Sequence, residues 1–569
     1  MSLIGALQVG KSALSVSQAQ LQVTGNNIAN AGNADYTRQT AQVSTGRDQQ
    51  LRPGLFMGTG VNLDAITRQI DEALEARLRG SVSDYQAADS TTAWLGRVEA
   101  VFNELGDHDL STRMSGFFKS WSDLANKPQD ISLRQLVVQS GQSLAEQFQL
   151  VRGKMNDLAR DVDDKTAALV TDANGLADQV ADLNRQIIRA EGGAGGPANG
   201  LRDQRDAVLK RLSTLMDVHV IPQDNGGVNV YAGSEPLVLQ TQNRGVVLKT
   251  TTDPVTGKTV KVAAFRADNG EMPIASGQLG SLLQIKAQID GTNDSLDGLA
   301  HNLIFELNKL HAGGQGLQYL SDVTGANAAQ DPAAVLTSTA AGLKFQPANG
   351  TFVVHVRQKA TGLETSTLVK VDLDGLNGDD TTLNGLATSL NAVAGISASV
   401  VAGKLKVSAD SAAVEFAFSQ DSSGALAALG VNTFYTGTDA RDIAVAAAVK
   451  ADPRLVAAAK NGQPADNQTA QAIAALESKA VAALNGATLK DTYAGMVNTV
   501  AIGAAAARTN AEAAHAVNDT LVAQREALSG VSMDEEAINL MRQQRAFQGA
   551  SRLISIVNEL MDTVMGLVR

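Results

Sequence analysis

The chain has 569 residues, 44% hydrophobic, 4% aromatic and 19% charged, with a formal net charge of −12 and no cysteine. That length accommodates three or four domains, and sparse aromatics beside abundant alanine favour long helical packing over large globular cores. The acidic balance excludes nucleic acid as the main partner, no apolar run approaches the roughly 18 residues of a membrane span, and without Cys neither a disulfide framework nor a cysteine zinc site can form.

The N-terminal residues repeat with a seven-residue apolar period: LQVGKSA from Leu7, LSVSQAQ from Leu14, LQVTGNN from Leu21, then Ile28. A strict period of seven marks helices that pack seam against seam. Burying these four side chains offers roughly 1.5–3 kcal/mol each. Ordering each backbone residue costs about 1–2 kcal/mol before helix hydrogen bonds return part of it, and Gly10 and Gly25 cost roughly 1 kcal/mol more apiece. The seam is therefore expected to order only when another helix covers it. Met1–Gln20 holds no basic segment followed by an apolar core, so no cleavable signal peptide is expected. Gly5 to Ser12, GALQVGKS, matches the phosphate-loop pattern. That mechanism needs a buried strand ahead of the first Gly, and only Met1–Ile4 precedes it, which leaves nucleotide binding through Lys11 as a minor alternative.

Gly25 to Gln39 is rich in Asn and Gly and reads as a turn region. Extended residues follow up to Pro53-Gly54, and an irregular glycine-rich stretch runs through Gly60. Helical patterning covers 64–113 and then 131–191, where Leu158, Val162, Leu169, Ala173, Leu176, Val180, Leu183 and Ile187 form one stripe. The string GGAGGPANG, 192–200, breaks it. A helix from Leu201 to Met216 leads into alternating segments such as VNVYA and GVVLKT, which read as antiparallel strands. Helix returns over 278–311. A second β-rich section, 345–420, carries FVVHV, TLVKVDL, ASVVA, KLKVS and VEFAF between Gly, Asn and Asp turns. An Ala-rich helix over 469–525 ends at Gly530. Ser532 starts the last helix, with Glu535 three residues on as a capping box. On that helix Met533, Leu540, Phe547, Ile554, Met561 and Val568 recur every seven residues, followed three residues later by Gln543, Ala550, Val557 and Val564.

Two seams at opposite termini fold the chain back on itself and nest the middle between them. The expected fold is therefore α+β and multidomain: a terminal coiled-coil domain of 1–64 with 531–569, a helical domain of 65–320 with 437–530 that carries a β segment near 218–275, and an inserted β-rich domain of 321–436. The assembly interface is assigned to Leu7, Leu14, Leu21, Ile28, Leu540, Phe547, Ile554 and Met561.

Chemistry-bearing patterns are few. His108, His219, His301, His311, His355 and His515 show no paired metal-ligand spacing. Asp372 to Asp380 has the oxygen density of a calcium loop. An EF-hand loop wants an oxygen ligand and Gly where Leu376 and Asn377 stand, so a solvated turn is expected. No Gly-x-Ser-x-Gly elbow occurs. No catalytic, cofactor or metal residue is assigned.

Asn26-Asn27-Ile28-Ala29-Asn30-Ala31, followed by Tyr36-Thr37-Arg38-Gln39, resembles the N-terminal signature of the bacterial flagellar rod, hook and hook-associated axial proteins. Gly32-Asn33-Ala34-Asp35 stand where that family usually has Asn-Thr-Pro-Gly. Four more stretches resemble its hook-associated branch, in order along the chain: Leu201-Arg202-Asp203-Gln204-Arg205-Asp206; Leu299-Ala300 through Asn308 and His311 to Gly316; Leu429 to Gly437; and Gly530 to Glu536 with Gln543-Gln544-Arg545-Ala546-Phe547. The inserted β section carries no such match. The family-motif residues are Asn26, Asn27, Ile28, Asn30, Tyr36 and Arg38.

The resemblance implies a structural axial protein without enzymatic activity or cofactor, an adaptor joining hook to filament and required for filament assembly. It implies secretion through the flagellar type III apparatus to the hook–filament junction outside the cell. The implied partners are the hook protein, a second hook–filament junction protein, further copies of the chain in a ring, and a cytosolic export chaperone at the C-terminal helix, with no nucleic acid and no membrane. The alternatives are another axial subunit of filament or hook type, although a filament subunit would normally lack the Asn-Asn-Ile-Ala-Asn-Ala string, and the nucleotide-binding protein already described.

Overall fold

A computed structural model describes residues 3–103, 109–193, 196–254, 257–463 and 465–567. His108, Val568 and positions 194 and 195 of the glycine-rich break lie outside the described residues. Helix α1 (Leu3–Ala29) is followed by strands β1 (Gln39–Thr45), β2 (Gln49–Arg52), β3 (Leu55–Met57) and β4 (Val61–Arg68). Next come α2 (Glu72–Asn103), α3 (Leu110–Asn126), α4 (Ile131–Glu191) and α5 (Asn199–Leu215). Six strands follow: β5 (His219–Pro222), β6 (Val228–Ala232), β7 (Glu235–Leu239), β8 (Gln242–Asn243), β9 (Val246–Thr252) and β10 (Thr259–Phe265). After α6 (Gly277–Ala312) lie β11 (Asp322–Thr324), β12 (Gly350–Gln358), β13 (Glu364–Val371), α7 (Leu383–Asn391), β14 (Ile396–Val401), β15 (Lys404–Ala409) and β16 (Val414–Ser419). The chain ends with α8 (Ala425–Leu429), β17 (Tyr435–Thr436), β18 (Ala444–Val445), α9 (Ala447–Ala451), α10 (Gln468–Ala474), α11 (Leu489–Ser529) and α12 (Met533–Leu567). The fold is α+β and multidomain.

Helix α4 spans the residues its apolar stripe marks. Three segments differ from the sequence pattern. The turn expected from Gly25 starts later, because α1 continues to Ala29 and an added Cβ at Gly25 meets nothing within 4 Å. The helix expected over 64–113 divides. Residues 61–68 instead pair antiparallel with 39–45, a hydrogen-bonding partner some twenty residues earlier that local periodicity cannot register. Helix α2 then begins after Asp71, whose carboxylate accepts from the N–H groups of Ala73 and Leu74. Helix α3 begins after Asp109, which caps Thr112. The third difference is the Ala-rich stretch from 469, which reaches α11 only after a break. Asn485 and Gly486 both take left-handed backbone angles, and the Thr488 hydroxyl then caps Asp491.

The chain divides into two compact units. The first comprises Met1–Trp94, Val162–Ala287 and Ala505–Arg569. Its four-stranded antiparallel sheet has the order β5-β6-β7-β8, and β9 pairs with β10. Two asparagines of α4 fasten these strands. Asn184, fully buried, donates to the carbonyls of Val228 and Gln240 and accepts from the Val228 N–H. Asn174 donates to the Val246 carbonyl and accepts from its N–H. An amide side chain satisfies both polar groups of a buried peptide in this way, so a helix side chain substitutes for a neighbouring strand.

The second unit comprises Leu95–Asp161 and Gln288–Ala504. Phe117, Phe118, Trp121, Phe434 and Tyr435 form a buried aromatic cluster with His311. Two of the stretches that carry the family resemblance meet here. Asn308 accepts from the N–H groups of Phe434 and Tyr435 and donates to the Tyr435 carbonyl. Asn432 donates to the carbonyls of Ala312 and Gly314. His311 contacts the Asn432 carbonyl at 2.8 Å and accepts from the Ala457 N–H at 3.0 Å, and burial pushes its pKa down to about 4. The ring is thus held neutral. Two three-stranded sheets, β13-β12-β16 and β11-β15-β14, enclose with α7 a core that includes Phe352, Phe416, Phe418, Leu386, Leu390 and Val407.

Candidate functional site at the joined termini

Helices α1 and α12 pack together within the first unit. Gly10 lies beside Ile554 and Asn27 bonds Glu536, so the two helices run antiparallel. An added Cβ at Gly10 would stand 2.8 Å from Ile554 Cγ1, which makes the glycine a seat for that side chain. The same register carries Ser17 to the level of Phe547 and Thr24 to that of Leu540, because each set recurs every seven residues. All eight residues assigned to the interface lie on this helix pair, and all are half-buried. The buried positions lie elsewhere on α1: Gly10, Ser17 and Thr24, with Val16 and Val23 beside them. On α12 they are Glu536, Ala550 and Val557. The centre of the seam on α1 is three residues beyond the leucines, where small side chains admit large ones from α12. A further stripe of α12 stays exposed, formed by Leu553, Ile556, Leu560 and Val564, and Ile4 of α1 is 73% exposed.

Where α1 ends, a polar network joins the two sequence signatures. Asn27 uses its whole amide: Nδ2 donates to the Gln39 carbonyl at 3.0 Å and to Glu536 Oε2 at 3.1 Å. Its Oδ1 accepts from the Tyr36 hydroxyl at 2.7 Å and the Gln39 N–H at 3.0 Å. The Arg38 guanidinium donates from Nε to Glu536 at 2.9 Å and from Nη1 to Glu535 at 2.8 Å. Its backbone N–H bonds the Ser529 carbonyl at 3.0 Å. Glu536 is only 2% exposed, and losing one partner of so buried a pair costs about 3–5 kcal/mol because a bare charge remains. The Tyr36 pKa is pushed up to about 12, by burial first and then by the carboxylates of Asp203 and Glu536, so the phenol stays a donor. Asn30 closes the turn by donating to the Asn26 carbonyl at 2.9 Å. The structure therefore gathers Asn27, Tyr36 and Arg38 around Glu536, with Asn26 and Asn30 shaping the turn and Ile28 half-buried on the helix.

Glu536 is the residue the sequence pattern gave no role, and Glu535, expected as a capping box, takes a different one. The capping box forms only one limb: Ser532 Oγ accepts from the Glu535 N–H at 3.4 Å, while the Glu535 carboxylate goes to Arg38. Two adjacent acids beside a helix start are ordinary in sequence. Only the arginine some five hundred residues earlier gives them a role.

The LRDQRD stretch closes a second joint in this unit. Asp203 and Asp206 both accept from Arg68 Nη1, at 2.8 and 2.6 Å. Arg205 Nη1 donates to Asn184 Oδ1 and the Gly226 carbonyl.

The remaining patterns resolve into structure. The phosphate-loop string lies inside continuous helix α1, with Lys11 exposed. Asp372, Asp374 and Asp380 hold ligand oxygens within 4.8 Å of one another. These carboxylates serve the turn: Asp372 pairs with Lys370, Asp374 accepts from the Leu376 N–H, and Asp380 from the Gly375 N–H. His355 bridges Ser366 and Ser419 at 2.8 and 2.7 Å and lies 2.8 Å from Glu364, a constellation reminiscent of nucleophilic machinery. Ser419 is 0% exposed, so no substrate reaches it. His301 contacts the Thr438 carbonyl, His515 pairs with Asp519, and His219 lies exposed on β5.

Comparison with known proteins places these joints in context. Residues 95–327 match the sequence model described as the flagellar hook-associated protein FlgK helical domain. Residues 524–567 match that of the flagellar basal body rod FlgEFG protein C-terminal region, and residues 7–32 that of the flagella basal body rod protein. The chain is 28% identical over 571 residues to flagellar hook-associated protein 1 of Salmonella typhimurium, covering 98% of each chain. It is 25% identical over 576 residues to the Escherichia coli protein of that name, again covering 98% of each. With the Bacillus subtilis counterpart it shares 26% over 577 residues, covering 98% of this chain and 97% of the other. In fold it resembles the flagellar hook junction protein FlgK of Burkholderia pseudomallei, with a TM-score of 0.52 and 16% identity over 80% of this chain and 100% of the other.

Proposed function

We propose that this chain, which belongs to the flagellar hook-associated protein 1 family, is a structural axial subunit of the bacterial flagellum that joins hook to filament and is required for filament assembly. The observation that carries the reading is the antiparallel α1–α12 pair, locked at one end by Asn27, Arg38 and Glu536 and bearing an uncovered apolar stripe. A contiguous apolar stripe needs a cover, and copies of the chain arranged in a ring supply one. In this reading Leu7, Leu14, Leu21, Ile28, Leu540, Phe547, Ile554 and Met561 bound the assembly interface. The lower partner is the hook protein and the upper one a second junction protein. Before assembly a cytosolic export chaperone holds α12, since the same side chains cannot face two partners at once.

Among the described residues no helix is long and apolar enough to cross a membrane, which is compatible with an extracellular position at the hook–filament junction. The buried, hydrogen-bonded positions of His311, His355 and Ser419 support a chain without catalysis. We assign 1–64 with 531–569 to the coil, 65–320 with 437–530 to the helical domain, and 321–436 to an inserted β-rich domain. Its own buried core, drawn from residues between Ala312 and Val431, supports that last assignment.

Complementation tests the proposal. Expressed in a flagellated strain lacking its own hook-associated protein 1, the chain should restore filaments on hooks seen by electron microscopy. The Ile554→Asp, Met561→Asp double variant should leave bare hooks and bind the chaperone weakly in calorimetry. Normal filaments with that variant would remove α12 from the interface, and chaperone binding at full strength with failed assembly would separate the two surfaces.

A further inference from the structure

The sheets of the second unit end in strands whose outward backbone groups are treated differently. On β14 the Asn391 amide takes both groups of Ala398, accepting from its N–H and donating to its carbonyl, each at 2.7 Å. On β16 Leu320 exchanges bonds with both groups of Phe416, each at 2.8 Å. Strand β13 is the remaining long edge, eight residues from Glu364 to Val371. Its register with β12, and the bond from the Gln358 N–H to the Leu363 carbonyl, turn the peptide groups of Thr365, Thr367 and Val369 toward β12. Those of Glu364, Ser366, Leu368 and Lys370 therefore point away from the sheet. Among the described residues nothing bonds these outward groups, and the next in line, at Asp372, are taken by Thr381. The side chains alternate as well: Val369 and Val371 are buried, whereas Leu368 is 66% exposed.

We propose that two copies of the free chain pair antiparallel through β13, about a twofold axis at Thr367, so that each sheet continues into the other. An open edge of this length is a template for another strand. Its charges select β13 itself as the occupant. Lysine on an edge ordinarily discourages pairing, unless an acid faces it. With Thr367 at the centre, Lys370 of each copy faces Glu364 of the other, and Leu368 faces Ser366. Centred on Leu368, the strands would set Glu364 against Asp372, like charge on like; centred on Ser366, Lys370 would meet Gly362 and lose its acid. The Tyr319 hydroxyl donates to Glu364 at 2.7 Å and holds the acid in place. Lys370, its side chain 70% exposed, pairs with Asp372 in the single chain and changes partner at little cost. A ring repeats head to tail about one axis, whereas this contact is isologous. It belongs to the free chain and stands apart from the ring proposed above.

The test is sedimentation of the full-length chain over a concentration series, with each variant shown to be folded by circular dichroism. The parent chain should dimerise. Lys370→Glu puts acid against acid at both ends of the contact and should raise the dissociation constant about tenfold. Glu364→Lys, which puts lysine against lysine, should do the same. Mixed in equal amounts, the two variants should recover the parent's dimerisation, because every acid then meets a lysine. Neither misfolding nor pairing through another face gives that recovery. A parent chain that stays monomeric would overturn the proposal. So would association that persists in both single variants, which places the contact on another face such as the stripe of α12, or a mixture that associates no better than its components.

Discussion

The terminal helix pair and the aromatic core around Trp121 are built on opposite principles. Around Trp121 large rings are fully buried, and Asn308, Asn432 and His311 bond backbone groups of the surrounding segments. That region is closed by its own packing, with the buried Trp121 Nε1–H its one ring donor left without an acceptor. Along α1 and α12 the large apolar residues are half-buried, only small or β-branched side chains and a few at one end are fully covered, and an apolar stripe of α12 faces outward. The polar network at Asn27 and Glu536 is the one part of the pair finished as a core would be. On the proposed reading this face is an assembly surface, which must be incomplete in the single chain, whereas its anchor must not be. The comparison teaches that recognisable motif residues mark the anchors, and the repeating apolar residues mark what they hold in place.

The largest expected effect falls on the finished region. Trp121→Ala should cost about 3–5 kcal/mol, read as a lower denaturation midpoint, with amides of 536–557 exchanging as in the parent chain. Equal loss at both places would erase the distinction between the regions. Glu536→Ala should cost about 3 kcal/mol, at the low end for a broken buried pair because Arg38 keeps Glu535. The damage should stay local: faster hydrogen exchange across 20–40 and 529–545, with the Trp121 cluster unmoved.

His311 supplies a pH dependence specific to the aromatic core. Its folded pKa of about 4 lies below the ordinary value of 6.5. Above pH 6.5 the ring is neutral in both states. As pH falls from 6.5 toward 4 the unfolded chain takes up a proton that the folded chain refuses, so stability drops, by up to about 3 kcal/mol, and then levels off. Unfolding free energies of His311→Gln should lack this slope of up to one proton. An unchanged slope would place the titration elsewhere.

Two glycines give the smallest effect and the sharpest contrast within α1. Gly25→Ala meets nothing and should stabilise the helix by roughly 1 kcal/mol. Gly10→Ala should gain nothing, since its Cβ meets Ile554. Equal gains in thermal unfolding would mean that α12 does not sit where Gly10 admits it.

Much of this was legible beforehand. The seven-residue rhythms at Leu7 and Leu540 pointed to paired terminal helices, and the stripe of α4 gave its span. The buried line on α1 was not legible, because Gly10, Ser17 and Thr24 carry no hydropathy signal and gain their role from the bulk of Ile554 opposite. Strand 61–68 was hidden for a related reason, its partner being 39–45. Glu536 looked like one acid among several at a helix start. Pairings across hundreds of residues leave no mark on local periodicity, and the residues that make them look ordinary one by one.

Hydrogen exchange on the full-length chain, free and assembled, tests the central claim most directly. In the free chain, amides around the Asn27–Glu536 anchor should exchange slowly, while those of 3–20 and 547–567 exchange far faster than the Trp121 core. On assembly the outer segments alone should gain protection, by two or more orders of magnitude. Outer segments already as protected as the core in the free chain, and unchanged in the assembled one, would contradict the account.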